Sequence, residues 1–362
     1  MVDFIFIIYT SYITGPPYET ANQMLIRQKF YFKALVILIS SLLSHHASAN
    51  NTTHFEEVFS TTVVLTDSET ISLGVGNFDP DKLLKPHENS FSDSESIKLR
   101  NELTVYSIPY TWRLNDYKAQ KKGTSTETPS YFYLDEITAS LSYLRQKNTS
   151  DLLSNSATED ENKDEIFSAY LAYSLHRKLT ENWNLRIRLG SYLMHHKNTY
   201  RYNSDESAQY RPELDGVYLN LSANAFIIEP NLKLSYRQKK SWGKWELNND
   251  LNLFSGTTFN GAKSSQGAKP SGWRLNNGFK FHFNVNQSKF HAESIYVKIQ
   301  RSDIGGDMVN SLGTDHFYEF GLGLLLDTRK FTKLADNIGI GINIHKGSAL
   351  SGGSIVFYFN EL

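Results

Sequence analysis

Alternation of apolar and polar residues with a period of two recurs through most of the chain, and nothing else in it restricts the fold so strongly. Trp273, Leu275, Phe279, Phe281, Phe283 and Val285 share one parity, and Arg274, Asn276, Gly278, Lys280, His282 and Asn284 share the other. Successive side chains of a β-strand point to opposite faces, so such a run is a strand with one apolar and one polar side. Ile338, Ile340, Ile342 and Ile344 alternate in the same way with Gly339, Gly341, Asn343 and His345. Val217, Leu219, Leu221, Ala223, Ala225 and Ile227 form a third apolar face, and Trp245, Leu247, Leu251 and Leu253 a fourth. Helical periodicity has no comparable showing beyond residue 50, so the fold class is all-β.

The connections between these runs come in two lengths. Short ones are expected near 178–182, 229–231, 286–288 and 329–336, and longer polar ones near 79–96, 146–163, 198–212, 257–272 and 302–315. Tight and long ends in alternation are the pattern of a transmembrane antiparallel up-and-down β-barrel, the only kind of sheet that pairs every backbone group inside lipid. The soluble alternative is a secreted β-sandwich or lipocalin-like barrel with its apolar faces inward. Two features favour the membrane. The polar faces carry Gly, Asn, Ser and opposite charges, with Glu246 and Asp250 expected near Arg274 and Lys280, which suits a lumen. Trp183, Trp245 and Trp273 open their strands, as interfacial girdles require, and the load of 22 Phe and 21 Tyr supplies such girdles. Thirteen segments are strand-like. A single-chain bacterial barrel takes an even number, so 232–239 and 245–255 are read as one long or bulged strand, giving about twelve strands over 71–362. Glu293 falls on the lipid parity of its strand, which predicts a bulge or a shifted register there.

The N-terminus reads as an address. Arg27, Lys29 and Lys33 form a positive region, Ala34–Leu43 an apolar one, and Ala47-Ser48-Ala49 a small-x-small cleavage site. These are the three parts of a secretory signal peptide, over 24–49, with translation starting at Met24 and 1–23 an upstream extension. The apolar run is too short to cross ~30 Å of hydrocarbon as a helix. Between the signal and the barrel lies a short segment, 50–70. Phe55, Val58, Phe59 and Val63 have the spacing of a helix inside a pore, whereas Thr61-Thr62-Val63-Val64 is β-branched and suits a strand. The sequence leaves both open.

The last strand ends on Ile355, Phe357 and Phe359 in alternation, similar to the C-terminal signature by which outer-membrane proteins are recognised for assembly. With the signal peptide and the glycines of the late strands (Gly321, Gly323, Gly339, Gly341), the chain resembles the solitary outer-membrane autotransporter β-barrel domains of Gram-negative bacteria. The resemblance covers about 55–362. It implies a twelve-stranded translocator-type barrel without a passenger, a place in the outer membrane among its lipids, and handling by the barrel assembly machinery.

Charge and composition narrow the chemistry. Basic and acidic residues number 37 and 38, too balanced for a nucleic-acid binder held by bulk charge. With no cysteine there is no disulfide, zinc–thiolate site or thiol nucleophile. No phosphate loop, dinucleotide fingerprint or Gly-x-Ser-x-Gly is present, so neither a cofactor nor an enzyme is expected. Asp315-His316 has the acid–His pairing of a surface hydrolase, but solvated loop residues explain it as well. His195 and His196 are adjacent on a strand, point to opposite faces and cannot chelate one metal; they are expected at the membrane interface. Asp303 and Asp307 lack the oxygen spacing of a calcium loop. Arg186, Arg188, Arg274 and Lys280 against Glu246 and Asp250 are the expected charge network of the lumen. It fits a structural plug or the constriction of a small porin-like channel.

Overall fold

The computed structural model describes residues 53–67, 76–78, 103–116, 133–150, 159–287, 292–328, 337–347 and 351–359. The upstream extension, the signal peptide with Ala47 and Ala49, and most of the segment expected at 71–75 lie outside them. Among these residues, twelve strands follow an N-terminal helix. The helix, α1, is Thr53–Thr66. The strands are β1 (Gly76–Phe78), β2 (Leu103–Asp116), β3 (Tyr133–Ser150), β4 (Asp160–Lys178), β5 (Trp183–Arg201) and β6 (Ser222–Lys240). They continue with β7 (Gly243–Gly261), β8 (Ser271–Gln287), β9 (Ala292–Gly306), β10 (His316–Asp327), β11 (Asn337–Gly347) and β12 (Ser351–Phe359).

All twelve belong to one antiparallel sheet in the order β1-β12-β11-β10-β9-β8-β7-β6-β5-β4-β3-β2. Each strand from β2 to β12 pairs with its sequence neighbour, and β1 returns to β12, so Gly76 stands opposite Ile355. That is the meander of an up-and-down barrel, with the first strand laid beside the last. Strands β4 to β7 have 19 residues each, well beyond the ~9–11 that cross a membrane at a tilt, so they extend past the hydrocarbon. The antiparallel order sorts the connections. Residues 202–221, 262–270 and 307–315 lie at one end, the long-loop end, whereas 179–182 and 241–242 lie at the other.

The faces are those of a protein that dissolves in lipid. Leu141, Leu171, Leu193, Leu322, Leu324 and Ile340 are half or more exposed, while Ser302, Asn252, Glu319 and Arg274 are fully buried. Apolar side chains outside and polar ones inside invert the soluble arrangement, as a bilayer requires. At the short-turn end, aromatic contacts run from strand to strand: Trp183 on Tyr236, Tyr236 on Trp245, Trp245 on Phe279, and Trp242 on Phe283. This belt across β5 to β8 is the expected interfacial girdle.

Three expectations need correction. The count of twelve arises differently: β6 runs unbroken through Pro230, and the turn at Ser241–Trp242 separates β6 from β7. Residues 229–231 looked like a turn because proline lacks a ladder donor. Here the β6–β7 pairing lapses between Ile228 and Asn231 and then resumes in register. Val217 and Leu219 are not on a strand; they belong to a folded loop with two short helices, α2 (Asp205–Ala208) and α3 (Arg211–Leu214). Finally, Ala223, Ala225 and Ile227 face inward with no exposed area. Their apolar parity serves the helix inside and not the lipid outside. The bulge expected near Glu293 is present, between Asn284 and Asn286 of β8 where they oppose Ser294 and Glu293.

A charge on the outer belt tests this assignment of faces. Leu322→Arg is expected to destabilise the inserted fold by ~2–4 kcal/mol, read as a lower urea midpoint in bilayers. A midpoint like that of the parent would place Leu322 away from lipid.

Candidate functional site

The interior is built around α1. Phe55, Phe59 and Val63 recur at four-residue steps, are essentially unexposed, and pack against Tyr192, Met194, Ala223, Ala225 and Ile227 of the wall. Helix therefore prevails over strand for this segment. Its β-branched run favours extended backbone only weakly, and a helix pairs its own backbone groups where no strand edge is available inside the barrel. The hydroxyls of Thr62 and Thr66 donate back to the carbonyls of Val58 and Thr62. An eight-stranded barrel is filled by its own side chains, and a twelve-stranded one leaves space that a helix of ~10–12 Å diameter can take.

Opposite walls grip the C-terminal turn of the helix. The Ser107 hydroxyl on β2 donates to the Thr66 carbonyl at 3.4 Å, and Arg274 on β8 donates to the Val63 carbonyl at 3.4 Å. In a twelve-stranded order these strands stand six apart, across the lumen from each other. Arg274 also binds Asp67 at 2.7 Å and Glu229 of β6 at 2.5 Å, with no exposed area of its own. A cation at this point complements the carbonyls at the helix C-terminus. Glu229 accepts a further bond from the Tyr170 hydroxyl of β4 at 3.4 Å. Tyr170 reaches it by lying over Gly190 of β5, where a Cβ would come within 2.3 Å of its hydroxyl oxygen.

The N-terminal turns of α1 meet the long-loop end. The Glu56 carboxylate accepts from the Lys269 backbone N–H at 2.8 Å, and Glu57 accepts from the Ser311 hydroxyl at 3.1 Å. Ser311 belongs to α4 (Met308–Leu312). Asp307, just ahead of α4, accepts from the Ser271 N–H at 2.6 Å and from the Ser60 hydroxyl at 3.4 Å. Burial between loop and helix raises its carboxyl above the ordinary range in spite of those donors. On β5, His196 lies under the rings of Phe55 and Phe59 and pairs with Asp164 at 2.8 Å.

The residues singled out by the alternation line the inner wall. Arg186 meets Asp250 at 3.1 Å and Asn231 at 3.1 Å. Glu246 pairs with Arg237 at 2.5 Å and stands directly opposite Lys280. Lys280 lies 5.9 Å from the centre of the Tyr296 ring. Arg188 is buried opposite Asn231. Arg274 sits apart from Glu246 and Asp250, on Asp67 and Glu229, two carboxylates that were not anticipated. Glu229 was hidden inside an apparent turn, and Asp67 lies just past the helix where alternation carries no signal. Of the histidine pair, His195 points outward to Asn224, but His196 is buried beneath α1 and is no interfacial residue. Asp303 binds Arg301 at 2.6 Å. Asp315 and His316 share a 2.7 Å hydrogen bond that holds the Asp315 carboxyl below its ordinary range, and the Asp315 side chain is 77% exposed. Ile355 is exposed on β12, and the backbones of Phe357 and Phe359 pair with Ile340 and Ile338.

A meander with an apolar exterior, a polar interior and a helix gripped from opposite walls defines an integral membrane β-barrel with an occupied lumen. The chain belongs to the solitary outer membrane autotransporter beta-barrel domain family, whose profile it matches over residues 56–361. That membership places it in the outer membrane. Among solved structures it is similar to the β domain of the Bordetella autotransporter BrkA, at 9% identity and a TM-score of 0.39, over 72% of this chain and all of that one. It is also similar to the transport unit of the autotransporter AIDA-I from Escherichia coli, at 10% identity and a TM-score of 0.26, over 83% and 96% of the two chains. No curated protein matches it in sequence.

Arg274→Met leaves Glu229 and Asp67 as buried charges without their cation. It is expected to destabilise the fold by ~3–5 kcal/mol, read as a lower urea midpoint in micelles. Arg274→Met with Glu229→Gln should recover part of that loss. Equal midpoints for Arg274→Met and the parent would remove the clasp from the account.

Proposed function

We propose that the protein works as a plugged translocator-type barrel with a structural and transport role at the surface of a Gram-negative cell. The observation that carries this reading is α1, held in the lumen between β2 and β8 with Thr53 towards the long-loop end. Long loops face outward and short turns face the periplasm in such barrels, so the Thr53 end of the helix faces the outer side. Export runs through the signal peptide at 24–49, cleaved after Ala49. Outer-membrane lipid covers the belt of Leu322, Leu324 and Ile340, and the assembly machinery reads the strand carrying Ile355, Phe357 and Phe359.

The charged wall then has a structural role while the helix is in place. A channel role for the same wall is the second reading, favoured by the rows of charged and amide side chains that β5 to β8 turn to the lumen. A catalytic role has little support. Asp315 and His316 form an exposed contact at a strand end, and general acid–base work needs a group held against a substrate.

Planar bilayers separate plug from channel. The intact protein is expected to give no lasting conductance step, and deletion of residues 53–67 is expected to give stable open steps. Steady conductance by the intact protein, unchanged by the deletion, would support the porin reading.

A further inference from the structure

Along β3, β4 and β5 the ladder sorts the outward side chains into rows as the strands approach the long loops. One row is apolar, with Leu141, Ala169 and Leu193 opposite one another, and the next is mainly aromatic, with Tyr143, Phe167 and His195. The Tyr143 and Phe167 rings lie 4.9 Å apart, so this row is the outer counterpart of the girdle at the short turns. Arg145, Glu165 and Lys197 form the row directly above it, and Lys147, Lys163 and Arg201 stand further out on the same face. Successive rows are about 7 Å apart. The change from ring to charge therefore marks the depth at which hydrocarbon gives way to headgroups.

Two carboxylates on these strands serve the cations of this face. Glu161 pairs with Lys147 at 3.0 Å, and Glu165 has one oxygen on Lys163 at 2.9 Å and the other on the Tyr143 hydroxyl at 2.8 Å. Glu165 stands between Arg145 and Lys197 in the ladder, but both its oxygens are taken. Arg145, Lys197 and Arg201 are exposed, and among the described residues none of the three forms an ion pair. On the outward face of β9, also near the long loops, the charge is closed instead, since Arg301 binds Asp303 at 2.6 Å. The excess is therefore local to β3–β5. A cation at the border of a low-dielectric medium is attracted to a counter-charge more strongly than one in bulk water.

We infer that the outward face of β3 to β5 at the long-loop end docks the headgroup of a multiply phosphorylated lipid of the outer leaflet, whose acyl chains lie against Leu141, Phe167 and Leu193. Those three side chains are more than half exposed and continue the lipid belt up to the charged row. Arg145 and Lys197 are two strand spacings apart, about 10 Å, which suits phosphates carried at two points of a headgroup better than a single one. Basic clusters at headgroup depth are the recognised means of holding anionic lipid. Outward parity assigns the site to lipid and not to a solute in the lumen. The inference rests on the outer-membrane barrel with its long loops outward, because the same face turned to the periplasm would meet the other leaflet.

The test is native mass spectrometry of the folded protein, released from uncharged micelles that contain diphosphoryl lipid A or its dephosphorylated form. Retention of about one diphosphoryl lipid per barrel is expected, with binding at least about tenfold tighter than for the dephosphorylated form. Arg145→Gln with Lys197→Gln should weaken it about tenfold, and Arg145→Lys with Lys197→Arg should largely preserve it. Arg301→Gln, on β9, should leave it unchanged. Folding of each variant is checked by the gel shift on boiling that closed barrels give. Equal retention of the two lipids overturns the assignment, as does a glutamine pair that folds and binds as tightly as the parent. A loss on Arg301→Gln as large as that of the pair overturns it too, since unspecific attraction would then explain the binding. An intact chain without the gel shift would instead contradict the barrel beneath it.

Discussion

Arg274 is the point on which the interior depends. A guanidinium with no exposed area cannot stay charged in a low-dielectric interior without partners, and here two carboxylates and a helix carbonyl supply them. Those partners come from three places: Glu229 from β6, Asp67 from the end of the helix, and Val63 from within it. One side chain therefore ties the wall to the plug. Once it is placed, the depth and rotation of α1 are set, and Phe55 and Phe59 are brought over His196. Glu229 is steadied in turn by Tyr170, which needs the bare backbone of Gly190 to lie flat against the wall.

The second constraint is the solvent. Lipid outside demands apolar parity outward and paired backbone throughout, and a twelve-stranded sheet meets that demand at the cost of a wide interior. Side chains alone do not fill it in the long-loop half, so the chain supplies a helix, and the wall becomes apolar where the helix touches it. Below the helix the wall reverts to charge. The helix-filled part of the lumen and the charged wall meet near Arg274.

Much of this was legible because β-strands write their faces directly into sequence. The belt of Ile338, Ile340 and Ile342 and the polar row of Glu246, Asn248 and Asp250 could be assigned from parity alone. What parity cannot say is which side an apolar face looks to. Ala223, Ala225 and Ile227 carry the same alternation as a lipid face, yet they meet a helix from a distant part of the chain. Helix and strand were equally supported over 55–66, since local preference is weak there and burial decides. Pro230 gave the signal of a turn, and its real effect was a lapse in one ladder. The partners of Arg274 were invisible for a simpler reason: ion pairing across a lumen depends on closure, which no local pattern records.

The central claim is that α1 sits in the lumen, held by β2 and β8 at one end and by the long loops at the other. The chain has no cysteine, so a single engineered pair reports without background. Ser60→Cys and Asp307→Cys replace side chains that lie within hydrogen-bonding distance, one on the helix and the other ahead of α4. In outer-membrane fractions under mild oxidation, the account predicts a disulfide that forms in most molecules and protects both thiols from maleimide. Two thiols that stay reduced and label independently would show that the helix does not occupy the lumen.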